Sequence, residues 1–202
     1  MILHNTMVPM AATENYADSV VAMEWGYARL ASGAPAIEDL PLEWNFMGHR
    51  PRGVISYGCL EEGAPERVHR QMTMRSLLTG VTPWTADDLA LEMFAPLVRR
   101  DLSGFRFADP RSAPASAGGR ETAAAMYHGP EEALLLVGNL APEQRSVRCR
   151  VDVTRSDLVA AERYVVRAAG TEVTLSAAQL REEGLEITVD GDGVGVASIS
   201  PR

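Results

Sequence analysis

Residues 132–154 read EALLLVGNLAPEQRSVRCRVDVT, and the two halves of this stretch carry different hydrophobic patterns. Ala133 to Val137 form a continuous apolar run, as expected of a strand buried on both faces. In the second half Val147, Cys149, Val151 and Val153 alternate with Arg148, Arg150, Asp152 and Thr154. A period of two predicts a strand with one face on a core and one in water. Similar short runs lie on either side: TAAAMYHG before, then ERYVVRA, TEVTL, LEITVD and GVGVASI. Spaced by turns, they predict an antiparallel β-sandwich over residues 121–202. Within it, AAQLREEG suits a helical turn, GDGVGV a hairpin turn and REEGLE a solvated charge run.

Upstream, ADPRSAPASAGGRET (108–122) is small, Pro- and Gly-rich, with little to bury, so residues 108–120 read as a linker. Residues 1–107 have an α/β texture. Ile2-Leu3, Ser19 to Met23 and Gly53 to Tyr57 read as short buried strands. Pro65 suits a first helical position, with Val68, Met72 and Met74 to Leu78 along one side and Gly80 as a stop. Thr85 with Asp88 resembles a capping box. Leu89, Met93, Phe94, Leu97 and Val98 then give a helical stripe, interrupted by Pro96, which predicts a kink.

Composition excludes several function classes. Net charge is −8, against a nucleic-acid partner, since phosphate binding needs clustered cations. No apolar run approaches the roughly 20 residues of a membrane span, and no signal-peptide pattern opens the chain. All 19 basic residues are arginine, which removes Schiff-base chemistry and the phosphate-loop lysine. Cys59 and Cys149 stand far apart and read as buried free thiols. The four histidines lack metal-site spacing, and His69 and His128 are expected in solvent, so neither a metal nor a cofactor is expected. No Ser-His-Asp constellation or nucleophile elbow is present.

The order LHNTMVP, YADSVVAMEWG, RQMTMRSLLTGVTPW, LVRRDLSGFRFADP and EALLLVGNLAPEQRSVRCRVDV resembles the tail of a glycoside-hydrolase-type (β/α)8 barrel with its following sandwich, as in α-galactosidase-like and related families. The likeness lies in order and texture and not in one diagnostic motif. It implies the last strands and helices of a TIM-type barrel over residues 1–107, the linker, and the sandwich. A full barrel needs roughly 250 residues, so the resemblance implies that the early strands lie outside this chain and that Met1 is an internal methionine or the start of a truncated reading frame. The open edges of the first part would be covered by the missing barrel half or by another copy of the chain.

The resemblance also directs attention to the ends of the first strands. Glycosidases flank the scissile bond with two carboxylates, and aromatic rings stack on sugar faces. Glu24 and Asp18 are the candidate carboxylates, with Trp25, His4 and Asn5 as sugar contacts at the same rim. Trp44 and His49, in LEWNFMGHRPRG, form a second candidate binding loop. Each has a plainer reading: Glu24 as a solvated strand end, Trp25 and Trp44 as core rings, Asp18 as a turn cap. The resemblance implies a carbohydrate partner and hydrolysis of glycosidic bonds. The rival reading is a non-catalytic sandwich module whose α/β region docks a partner.

Overall fold

A computed structural model describes residues 2–4, 19–22, 54–56, 66–80, 82–83, 88–119 and 121–202. The chain divides into two compact units, 1–94 and 95–202, described here separately. It is mostly antiparallel sheet with few helices, and among the described residues no barrel closes.

In the first unit β1 (Ile2–His4), β2 (Ser19–Ala22), β3 (Val54–Ser56) and β4 (Thr82–Pro83) form a parallel sheet in the order β1-β2-β3-β4. The first three occupy the expected apolar runs. The fourth holds only two residues, one of them a proline, and leaves no periodic trace in the sequence. Helix α1 (Glu66–Thr79) ends where Gly80 adopts φ +69°, a left-handed stop that a glycine accepts without a Cβ clash. Its second half is buried all round: Gln71, Thr73, Arg75 and Ser76 are as covered as Met74, Leu77 and Leu78. Helix α2 (Asp88–Val98) runs across the chain boundary of the two units and continues only two residues past Pro96. The hydrogen bond lost to proline is therefore confined to the last turn. Ala90 and Leu97 are buried, whereas Val98, expected on the stripe, is 71% exposed.

In the second unit all seven expected strands form: β7 (Thr122–His128), β8 (Ala133–Asn139), β9 (Arg145–Val151), β10 (Arg163–Ala168), β11 (Thr171–Ser176), β12 (Leu185–Val189) and β13 (Gly193–Pro201). Five of them, with β5 (Arg106–Ala108), make a six-stranded antiparallel sheet, order β11-β10-β13-β8-β7-β5. A three-stranded sheet comprises β12, β9 and β6 (Ala115–Ala117). The sheets share one apolar core, to which β7 and β8 give Ala124, Met126, Leu135 and Val137, and β9 and β12 give Val147, Cys149, Val151 and Ile187. Every residue of β8 is buried, so its continuous apolar run marks a strand covered on both faces. β9 shows the alternation expected, with Val147, Cys149 and Val151 inward and Arg148 and Arg150 outward. Helix α3 (Ala177–Glu182) opens with a full capping box between Ser176 and Gln179.

The stretch 108–120, expected as a linker, contributes a strand instead. β6 pairs with β9 through Ala115↔Val151 and Ala117↔Cys149, and Ala113 and Ala115 lie in the core. Alanines bury too little area to signal a strand in the sequence, yet they fit beneath a neighbouring sheet. Asp109 ties the turn before it, accepting from the backbone and hydroxyl of Ser112 and from Arg111. Burial raises its carboxyl pKa, but these donors more than offset that and hold it below its ordinary value.

One end of the unit is locked by Asn139, which is fully buried. Its amide donates to the carbonyls of Glu143 (2.8 Å), Asp190 (3.2 Å) and Val189 (3.3 Å), and its oxygen accepts from Ala141 N–H (3.1 Å). The β8–β9 and β12–β13 loops approach so closely here that a Cβ at Gly191 would overlap the Pro142 carbonyl. Gly195 does the same between sheets, where a Cβ would lie 2.8 Å from a methyl of Ile187.

Two predictions follow from this packing. Val151→Asp buries an unpaired carboxylate and should cost more than about 3 kcal/mol in urea unfolding, whereas the exposed Arg150→Asp should stay within about 0.5 kcal/mol. Equal losses would mean the β9 register is wrong. Gly191→Ala should cost about 1–3 kcal/mol through overpacking against main chain, and Gly104→Ala, with nothing within 4 Å of its added methyl, should be close to neutral.

Candidate functional site

Parallel pairing fixes where the chain leaves the first sheet. His4 pairs with Val21, Val21 with Ile55 and Ile55 with Thr82; one step on, Ala22 pairs with Ser56 and Ser56 with Pro83. The carboxyl ends of all four strands therefore lie along one edge. In parallel α/β sheets that edge carries the ligand site, because the loops leaving it converge there.

Of the expected site residues, only His4 falls among those described, as the last residue of β1. Asn5, Asp18, Glu24, Trp25, Trp44 and His49 lie outside the described residues. Chain connectivity still orders them. Asn5 follows β1 directly, and Glu24 comes two residues after Ala22 at the carboxyl end of β2. Asp18 precedes Ser19, at the opposite, amino end. Ser19 and Ala22, the ends of the strand that separates Asp18 from Glu24 in the chain, are three extended steps apart, about 10 Å. Tyr57 and Trp84, which directly follow β3 and β4 in the chain, also lie outside the described residues.

The second unit holds a different polar group. His128, expected in solvent beside Gly129, is 1% exposed. Register pairs it with Arg106 on β5 and Ala133 on β8, and alternation along β7 turns it to the same side as Met126. Its Nδ1 accepts the Asp157 backbone N–H at 3.1 Å and lies 3.1 Å from the Asp157 carboxylate. Arg106 holds that carboxylate from the other side at 3.0 Å. Burial lowers the imidazole pKa from its ordinary value, opposed by the Asp157 charge and reinforced by Arg106.

Cys149 is buried and without a disulfide; burial pushes its thiol up to about 12, which leaves no nucleophilic thiolate near neutral pH. Between the inner face of β10–β11 and the edge of β12 runs a cleft of about 340 Å³. Val166, Val173, Leu175, Leu185 and Ile187 line it, aliphatic groups that offer a sugar no aromatic stacking face. Among the described residues no three His, Cys, Asp or Glu side chains gather as a metal site, and no helix is long and apolar enough to cross a membrane.

No family model matches the chain, and no curated protein matches it. Solved structures do, at the level of fold. An α-amylase from Geobacillus thermoleovorans, complexed with acarbose, superposes with a TM-score of 0.61 over 100% of this chain and 54% of its own, at 12% identity. A noncanonic maltogenic α-amylase from Thermotoga neapolitana gives 0.54 over 92% and 51%, also at 12% identity. A GH27 β-L-arabinopyranosidase from Geobacillus stearothermophilus, in complex with arabinose, gives 0.52 over 92% and 46%, at 9% identity. This chain thus spans about half the length of the glycoside hydrolases whose fold it shares.

Proposed function

We propose that this chain is part of a carbohydrate-active protein of glycoside-hydrolase type, acting on glycosidic bonds at the carboxyl edge of its parallel sheet. The observation that carries the reading is the sequence of architectures: parallel strands in sequential order, then antiparallel sheets around one core. The fold shared with two amylases and an arabinopyranosidase supports it. On this reading residues 1–107 are the α/β part, with the last strands and helices of a TIM-type barrel. Residues 121–202 are the sandwich, and 108–120 lend it a strand.

Glu24 is the proposed catalytic carboxylate, with Trp25, His4 and Asn5 as sugar contacts and Trp44 and His49 on a further binding loop. Asp18 does not serve as its partner. Paired glycosidase carboxylates stand about 5–9.5 Å apart across one bond, whereas the strand that separates Asp18 from Glu24 in the chain, Ser19–Ala22, is by itself about 10 Å long. No acid occurs in the first three residues after β1, β3 or β4: Asn5-Thr6-Met7, Tyr57-Gly58-Cys59 and Trp84-Thr85-Ala86. The second carboxylate is therefore proposed to come from elsewhere in the complete protein. The rival reading, a non-catalytic module that docks a partner, draws on the edges β1 and β4, which pair with one strand each among the described residues.

Two measurements separate these readings. Intrinsic fluorescence of the three tryptophans should change saturably with added oligosaccharide, and Trp25→Ala should abolish most of that change. A panel of α- and β-linked saccharides without any effect would favour the docking module. The purified chain should hydrolyse no aryl glycoside, since one carboxylate cannot supply both acid and base. Turnover abolished by Glu24→Gln would show instead that the pair is complete within it.

A further inference from the structure

The loop joining β9 to β10 lies over one end of the shared core. Its Val153 and Leu158 are buried in that core, and the Tyr164 hydroxyl accepts the Ala161 N–H at 3.1 Å from within the loop. Two main-chain donors fasten it to the far side. Val159 N–H reaches the Pro130 carbonyl at 2.9 Å, and Asp157 N–H reaches His128 Nδ1 at 3.1 Å. The first acceptor cannot titrate, but the second can.

A main-chain N–H only donates, so Nδ1 must carry a lone pair and the ring proton must sit on Nε2. Protonation of the imidazole puts a hydrogen on Nδ1, which removes the acceptor and sets two donors facing each other. The Asp157 carboxylate, already 3.1 Å from Nδ1, stands ready to receive that new N–H. With the neutral ring the same carboxylate faces a lone pair and gains nothing from Nδ1; Arg106 holds it there. One residue therefore offers His128 a donor for its neutral form and an acceptor for its charged form.

We propose that His128 is a proton-operated latch for the β9–β10 loop: neutral, it holds the loop by the Asp157 amide, and protonated, it releases that amide and takes the Asp157 carboxylate instead. The charged groups acting on the ring are Asp157 from the loop and Arg106 from β5, while β8 presents uncharged Ala133. Burial favours the neutral ring. The contribution of the latch to stability is thus complete above the ordinary imidazole range, and is lost as pH falls through the lower value of the folded state.

Amide hydrogen exchange on the full 202-residue chain tests this. Between about pH 8 and about pH 5, protection of the Asp157 amide, corrected for intrinsic chemistry, should fall about fivefold, the factor for one typical hydrogen bond. The Gly129 amide, which donates to the Glu132 carbonyl, should hold its protection. In His128→Phe the Asp157 amide should be poorly protected at both values. Nitrogen-15 spectra of the wild-type ring, which need no variant, should place the proton on Nε2 at the higher pH. A proton on Nδ1 there, or unchanged protection of Asp157 across the range, would overturn the latch.

Discussion

Strand β8 is hydrogen-bonded along all seven of its residues to β7 on one side and β13 on the other, and both of its faces are buried. The rest of the second unit depends on that position. A strand with no water on either face must have every main-chain group paired, because an unpaired one would cost its full desolvation. Its neighbours are therefore held in fixed register. Ala123, Ala125, Leu134 and Leu136 are buried on one face, while Ala124, Met126, Leu135 and Val137 form the shared core on the other. The end of β8 is fixed by the same logic. Asn139 is the residue where the strand turns, and its buried amide is satisfied by the Glu143 carbonyl of the β8–β9 loop together with the carbonyls of Val189, at the end of β12, and Asp190.

The first unit rests on a different constraint. Parallel strands cannot be joined by tight turns, so each return crosses over and every strand ends at the same edge. That geometry alone places the carboxyl ends of β1 to β4 side by side, although about eighty positions separate the first from the last in sequence. A carboxylate, aromatic rings and a polar His-Asn pair follow those ends, a composition suited to sugars. The second unit, by contrast, presents aliphatic clefts and paired surface charges such as Arg148–Glu186 and Arg167–Glu172. Its buried groups, including Cys149 and Asn139, serve cohesion. The antiparallel sheets thus form a body held around one apolar core.

His128 shows how a polar group enters such a body without penalty. A lone imidazole beside a core strand would be costly, and here one main-chain donor, one carboxylate and one guanidinium surround it. The arrangement closes the end of the core and at the same time makes that closure sensitive to protons. Val159 and Tyr164 provide the rest of the closure through their own hydrogen bonds.

The sequence by itself determined where seven strands of the second unit lie, because alternation along β9 and β12 and the apolar run of β8 report burial residue by residue. It also determined the end of α1, where Gly80 stops the helix, and the presence of a helical turn at α3. Tertiary structure decided what depends on distant partners. β6 exists because β9 offers a ladder to a run of alanines that has no strand signal of its own. β4 exists because β3 lies beside it. Val98 falls outside the buried face although the helical period would include it. His128 is buried because Asp157, 29 residues further along, brings a donor to it. Periodicity records how a residue's own element meets water, whereas the burial of a polar side chain is decided by groups that only the fold brings within hydrogen-bonding reach.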